Sequence, residues 1–189
     1  AIVKVSKEGI SVVPEIMIPL VSAKREVELV KKRVASVASQ VGLETSAEVN
    51  YKLGVMVETP RAALRASDIA MNSEFLSFGT NDLTQMAYGL SRDDAGKFMS
   101  QYVQQGVFQE DPFHILDPDG VGELVKLGAD RARSIKPNIT LSICGEHGGN
   151  PESIAFCHQL GFHYVSCSPY RVPVAKLAAA QVAISTQIS

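Results

Sequence analysis

Apolar residues in this chain fall into short unbroken runs, separated by longer stretches in which they recur every three or four positions. Pro14-Glu15-Ile16-Met17-Ile18-Pro19-Leu20 reads as a short buried strand. Val27, Val30, Val34, Val37 and Val41 follow at helical spacing, with Gly42 placed as the helix C-cap. A second strand spans residues 54–57. Thr59-Pro60 then supplies an N-cap and a first-turn proline for a helix reaching about Met71. Residues 75–78 form a third strand, and a helix starts almost at once in Asp82-Leu83-Thr84-Gln85-Met86. Residues 88–119 read as a long insertion, ahead of a helix near 121–135. The pattern resumes with a strand at 139–143, a helix capped by Asn150-Pro151 that ends near Gly161, a strand at 164–167 and a last helix at 172–183.

Five strand-helix units with no hairpin turns between strands predict an α/β fold of parallel strands covered by helices. An open doubly wound sheet and a (β/α)8 barrel both fit that alternation. Polar groups recur where successive apolar runs stop: Glu58 after Gly54-Val55-Met56-Val57, Gly79-Thr80-Asn81-Asp82 after Phe75-Leu76-Ser77-Phe78, and Cys144-Gly145-Glu146-His147-Gly148-Gly149 after Ile139-Thr140-Leu141-Ser142-Ile143. Such endings favour the barrel, whose site is built at the C-terminal ends of its strands. A closed barrel needs eight units and typically about 250 residues. The 189 residues therefore read as one partial domain, residues 1–189, forming the C-terminal five units or so of a TIM barrel; the start at Ala1 agrees with truncation.

Composition narrows the function. A hydrophobic content of 46% with 20% charged residues is that of an ordinary globular domain. A formal net charge of -2, with no Lys/Arg block and no tryptophan, argues against a nucleic-acid partner. No apolar run approaches the roughly 20 residues of a membrane span. Three cysteines at irregular spacing fit a reducing compartment, so the expected location is cytoplasmic.

Glu58 and Asp82 close consecutive strands, so their carboxylates can share a hard divalent cation such as Mg2+. Alternatively Glu58 pairs with Arg61 and Asp82 supports the start of its helix. Gly79-Thr80-Asn81 precedes a helix, where backbone N–H groups suit an anion; a tight turn is the other reading. Cys144 is open to roles as metal ligand, nucleophile, proton donor or inert thiol. Its Cys-x-x-His spacing to His147 brings zinc into consideration, but no second ligand pair has tight spacing. An ordinary thiol with a pKa of about 8.5 is mostly protonated at neutrality and suits an acid better than a nucleophile. Cys157 and Cys167 read as buried and inert. His147 is placed to orient a neighbour or to titrate.

Taken together, Gly54-Val55-Met56-Val57-Glu58-Thr59-Pro60-Arg61-Ala62-Ala63-Leu64, Phe78-Gly79-Thr80-Asn81-Asp82-Leu83-Thr84-Gln85 and Ile143-Cys144-Gly145-Glu146-His147-Gly148-Gly149 closely resemble the phosphoenolpyruvate-utilising enzymes. The Cys-Gly-Glu-His-Gly-Gly form, with Ser91-Arg92-Asp93-Asp94, Asp111-Pro112-Phe113 and Ser166-Cys167-Ser168-Pro169-Tyr170-Arg171-Val172-Pro173, looks like the pyruvate phosphate dikinase branch of that family. The likeness runs from about Pro14 to Val182. It implies a barrel that binds phosphoenolpyruvate and pyruvate, with Glu58 and Asp82 on Mg2+, Glu58, Gly79, Thr80, Asn81 and Asp82 lining the substrate, and Cys144 moving a proton at carbon three. The implied partners are phosphohistidine and nucleotide domains elsewhere in a longer, homodimeric parent, since none of the four histidines here matches the carrier. Arginines from the early barrel strands are missing as well, so the piece alone is expected to be inactive. Thr59 departs from the aliphatic residue common in the family, which implies altered packing. The rival readings are a phosphoenolpyruvate synthase, a phosphotransferase enzyme I fragment, or a non-catalytic dimerising half-barrel.

Overall fold

A computed structural model describes residues 1–188. The chain runs α1 (Ile2–Lys7), β1 (Glu15–Ile18), α2 (Lys24–Thr45), β2 (Lys52–Val57), α3 (Pro60–Leu64), α4 (Ala66–Ala70), β3 (Phe75–Gly79), α5 (Thr80–Tyr88), α6 (Arg92–Ala95), α7 (Met99–Gln104), α8 (Val121–Ile135), β4 (Thr140–Cys144), α9 (Pro151–Gln159), β5 (Tyr164–Val165) and α10 (Val172–Ile188). All five strands are parallel and lie in the order β1-β2-β3-β4-β5, the arrangement of a partial (β/α)8 barrel with its sheet left open.

Alternation along the strands divides the sheet into two faces. Leu53, Val55 and Val57 of β2, Leu76 and Phe78 of β3 and Leu141 of β4 join one core with Ala62, Ala63, Ala66, Ile69, Val125 and Ala129 of the covering helices. Small residues let those helices approach closely. A Cβ on Gly128 of α8 would stand 2.9 Å from the Phe78 ring. Full burial of a side chain such as Phe78 is worth about 1.5–3 kcal/mol. The opposite face carries Gly54, Met56, Phe75, Ser77, Gly79, Ser142 and Cys144. Phe75 lies across Gly54, its register partner, where a Cβ would come within 2.4 Å of the ring.

Thr59 caps α3 through a 3.0 Å bond from Ala62 N–H, and Asn150 caps α9 through a 2.8 Å bond from Ser153 N–H. Each cap is worth about 1 kcal/mol. Thr59 Oγ1 also lies 3.3 Å from the Val21 carbonyl, so its hydroxyl ties the start of α3 to the loop between β1 and α2.

Several boundaries differ from the sequence reading. Gly42 does not end α2: the helix reaches Thr45, aided by a Gln40–Glu44 bond of 2.9 Å, and turns at Ser46 with φ 50. Glycine permits the left-handed turn without requiring it. The helix expected to reach Met71 breaks at Arg65 (φ -112, ψ 23), whose N–H meets both the Arg61 and Ala62 carbonyls. Helix α5 starts at Thr80 rather than Asp82. Strand β5 stops at Val165, leaving Ser166 and Cys167 outside it, although Ser166 N–H still reaches the Ile143 carbonyl at 2.9 Å. The 88–119 insertion holds α6, α7 and its own small core of Ala95, Met99 and Phe113. Helix α1 precedes the first strand-helix unit and is not predicted from the sequence: its six residues have no fully buried side chain, and Ile2, Val3 and Val5 are only half-buried.

Candidate active site

Glu58 follows β2 and is 3% exposed. Its Oε1 accepts a 2.6 Å hydrogen bond from the Leu20 N–H beyond β1. Leu20 stands at φ 51, a region costing a non-glycine residue about 1–2 kcal/mol, and its N–H bond to the Glu58 carboxyl works against that cost. On the other side the carboxylate lies against Gly79 of β3, where a Cβ would be 2.8 Å from Glu58 Cβ and 2.9 Å from Oε2. Gly79 therefore leaves the space that Glu58 fills. Burial raises the Glu58 carboxyl above its usual range; the Leu20 amide opposes this, and a hydrogen bond and the charge of Asp82 add to it. The two carboxylates are neighbours, as their adjacent strand ends suggested. Arg61 does not pair with Glu58 and instead donates to the Ser22 carbonyl. Asp82, half-buried in the first turn of α5, accepts at Oδ1 from Gln85 Nε2 at 2.9 Å.

Cys144 ends β4 on the same rim, half-buried, with Sγ 3.6 Å from the Phe78 carbonyl. Burial raises its pKa, the Ser77 side chain opposes this by hydrogen bonding, and the charges of Glu58 and Asp82 raise it further. The thiol keeps its proton at neutral pH. Cys157 is buried, as expected, and pushed up to about 12; Cys167 is half-buried rather than buried, packing beside Ile154, Ala175 and Ala178 while lining a pocket with Gly145 and Glu146 of the loop after β4.

Thr80 is fully buried. Its Oγ1 lies 2.6 Å from His147 Nδ1 and 3.1 Å from the Cys144 carbonyl. His147 Nε2 is 3.0 Å from the Pro112 carbonyl, which only accepts, so Nε2 carries the ring proton. Burial lowers the His147 pKa; the neutral ring accepts at Nδ1, and the one Thr80 hydroxyl proton is shared between that nitrogen and the Cys144 carbonyl. The Thr80 side chain is thus spent inside the protein, and the residue lies wholly beneath the rim. Both ring nitrogens of His147 are committed too, which removes the Cys-x-x-His zinc reading. Asn81 Oδ1 accepts from Glu146 N–H at 3.2 Å. Between Cys144 and Glu146, Gly145 adopts φ 99, and a Cβ there would come within 2.8 Å of Asn81 Oδ1.

Among the described residues no group of three or more His, Cys, Asp or Glu is placed to hold a metal ion. The donor set is the Glu58–Asp82 pair in its Gly79 cradle: two hard anionic oxygen groups pressed together with no cationic side chain on them. That set fits Mg2+, which commonly takes one or two carboxylates and fills its remaining positions with substrate oxygens and water. Three residues escaped the sequence reading. Ser77 is recoverable from its alternation with Gly79, and Gln85 from its place three residues after Asp82. Leu20 carries no signal, because a left-handed leucine is not marked in sequence. A groove of about 700 Å3 lies away from this rim, between α1 and α2. No helix among the described residues is long and apolar enough to cross a membrane.

A family model described as "PEP-utilising enzyme, PEP-binding domain" matches residues 1–184. The chain is 53% identical over 188 residues to a pyruvate, phosphate dikinase of Clostridium symbiosum, covering 99% of this chain and 22% of that protein. It is 53% identical over 182 residues to the chloroplastic pyruvate, phosphate dikinase of Mesembryanthemum crystallinum, covering 96% of this chain and 19% of the relative. With the dikinase of Rhizobium meliloti the identity is 54% over 177 residues, covering 94% and 20%. The chain thus spans about a fifth of the length of these relatives.

Proposed function

Because the chain belongs to the PEP-utilising enzymes through their PEP-binding domain, we propose that it is the C-terminal, substrate-binding part of the pyruvate- and phosphoenolpyruvate-binding barrel of a pyruvate phosphate dikinase, a single partial domain. The complete enzyme would interconvert pyruvate, ATP and phosphate with phosphoenolpyruvate, AMP and pyrophosphate. Phosphohistidine and nucleotide domains would lie elsewhere in a longer, homodimeric protein, and the early barrel strands would add the cationic grip on the substrate.

The observation that carries the reading is the meeting of Glu58 and Asp82 on one rim with a protonated Cys144. Glu58 and Asp82 would hold Mg2+, with the half-buried Asn81 facing the substrate and the buried Gly79 and Thr80 forming the floor beneath it. Bound Mg2+ would supply the positive charge that stabilises an enolate oxygen. Cys144 would give its thiol proton to carbon three of enolpyruvate, breaking S–H and forming C–H, and take it back in the opposite direction. Ser77 would steady the thiolate left behind, and the buried His147–Thr80 pair would hold the rim in place.

The test uses a full-length dikinase carrying this sequence. Cys144→Ala should abolish exchange of deuterium into the methyl group of pyruvate while leaving Mn2+ binding near wild type. Glu58→Gln and Asp82→Asn should each weaken Mn2+ binding sharply. Wild-type exchange by Cys144→Ala would remove the thiol from proton transfer, and wild-type Mn2+ binding by both carboxylate variants would remove the metal site.

A further inference from the structure

Gln85 sits between the metal carboxylate and the insertion. One turn after Asp82 in α5, its Nε2 donates to Asp82 Oδ1 at 2.9 Å, and its Oε1 accepts from the Arg92 backbone N–H at 2.8 Å. The amide can face only one way, because the Arg92 N–H donates and the Asp82 carboxylate accepts. The chain returns to Gln85 through Gly89, at φ 63, which ends α5 and brings Ser91 and Arg92 back over it. A ring of contacts then closes. Arg92 Nη2 is 3.5 Å from Glu146 Oε1, Glu146 N–H donates to Asn81 Oδ1 at 3.2 Å, and Asn81 adjoins Asp82. The Arg92–Glu146 pair is exposed, and such pairs contribute little. The backbone-held amide is the firmer link.

We propose that Gln85 is a positioning residue: its amide, fixed by the Arg92 N–H, occupies one oxygen of Asp82 and directs the other toward the cation shared with Glu58, so that cation affinity depends on how the 88–119 insertion is seated. This inference rests on the metal role of Asp82 proposed above. Hydrogen-bond partners behind a ligating group commonly change metal affinity by about 10- to 100-fold when removed.

The experiment measures Mn2+ binding by electron paramagnetic resonance in the full-length protein without turnover, beside thermal unfolding. Gln85→Met removes both hydrogen bonds at similar volume. Arg92→Pro leaves Gln85 intact and deletes only the N–H that fixes it, together with the ion pair. Proline suits that position, the first of α6, behind Ser91 at ψ 133. Arg92→Ala removes the ion pair and keeps the N–H. Gln85→Met and Arg92→Pro should each weaken Mn2+ binding by about tenfold or more, with Arg92→Ala close to wild type and Asp82→Asn severely impaired. Wild-type Mn2+ affinity in Gln85→Met and Arg92→Pro, with Asp82→Asn impaired, would overturn the positioning role and leave the proposed function standing. The positioning role fails equally if those variants lower only the melting temperature. Wild-type affinity in Asp82→Asn would overturn both.

Discussion

Gly79→Ala should disable the site by filling it from behind. The new methyl would arrive 2.8 Å from Glu58 Cβ, 2.9 Å from Glu58 Oε2 and 2.9 Å from Met56 Sδ, against ordinary contacts of 3.4–4 Å. Gly79 has φ -84, so alanine meets no backbone strain and the whole effect is steric. Met56 can yield, since its sulfur is part of a flexible side chain. Glu58 Cβ cannot, being fixed to the backbone beyond β2, and its carboxylate is tied to Leu20 N–H. Overpacking of this kind costs about 1–3 kcal/mol, and each kcal/mol lowers the melting temperature of a domain this size by about 2–4 °C. A fall of about 4–8 °C corresponds to the middle of that range. The assay pairs thermal unfolding with Mn2+ titration, and Gly96→Ala serves as control because nothing lies within 4 Å of its added methyl. Loss of Mn2+ affinity together with the drop in melting temperature is expected for Gly79→Ala alone. Unchanged melting and unchanged Mn2+ binding would mean that Glu58 does not rest on Gly79, and the cradle would not exist.

Two pH effects follow from the buried groups. His147 has a pKa below its ordinary 6.5, so the unfolded chain binds more protons than the native one as the pH drops past 6.5; stability should fall with acid from there until the native pKa is passed. Denaturant titrations from pH 7 to 4 should show that fall diminished in His147→Gln, and an identical slope in the two proteins would refute it. Cys144, with its thiol pKa above 9.0, should alkylate with iodoacetamide more slowly at pH 8 than a free cysteine, and faster once Glu58 and Asp82 are both made amides. Peptide mass mapping of the labelled sites decides this, and rapid labelling of wild-type Cys144 at pH 8 would contradict it.

The sequence was most legible where one local rule decides a feature. Thr59-Pro60 and Asn150-Pro151 open helices because a side-chain oxygen and a proline act within a single turn, and residues 121–135 form α8 as their periodicity predicts. Glu58, Asp82 and Cys144 could be placed on one rim because parallel strands in register bring their C-terminal ends together. Legibility failed where distant segments decide. Gly42 had the right chemistry for a cap but no tertiary reason to use it, and Ser46 turned instead. The burial of the Thr80 side chain depends on His147, 67 positions away, and that of His147 on Pro112, 35 positions away. Spacing along the chain carries neither fact.

The imidazole of His147 gives these separations a consequence for heredity. One ring is shared by the start of α5, the loop after β4 and the insertion's Asp111-Pro112-Phe113 segment, so losing the Thr80 hydroxyl, the histidine or the backbone path that presents the Pro112 carbonyl strands a buried partner. A relative that shortened or rebuilt the insertion would have to supply another acceptor for Nε2 or give up the histidine. Recombining this domain with a homologue should therefore succeed when the three pieces travel as a set, and fail when a crossover joins this histidine to a homologue lacking the hydroxyl or the backbone acceptor.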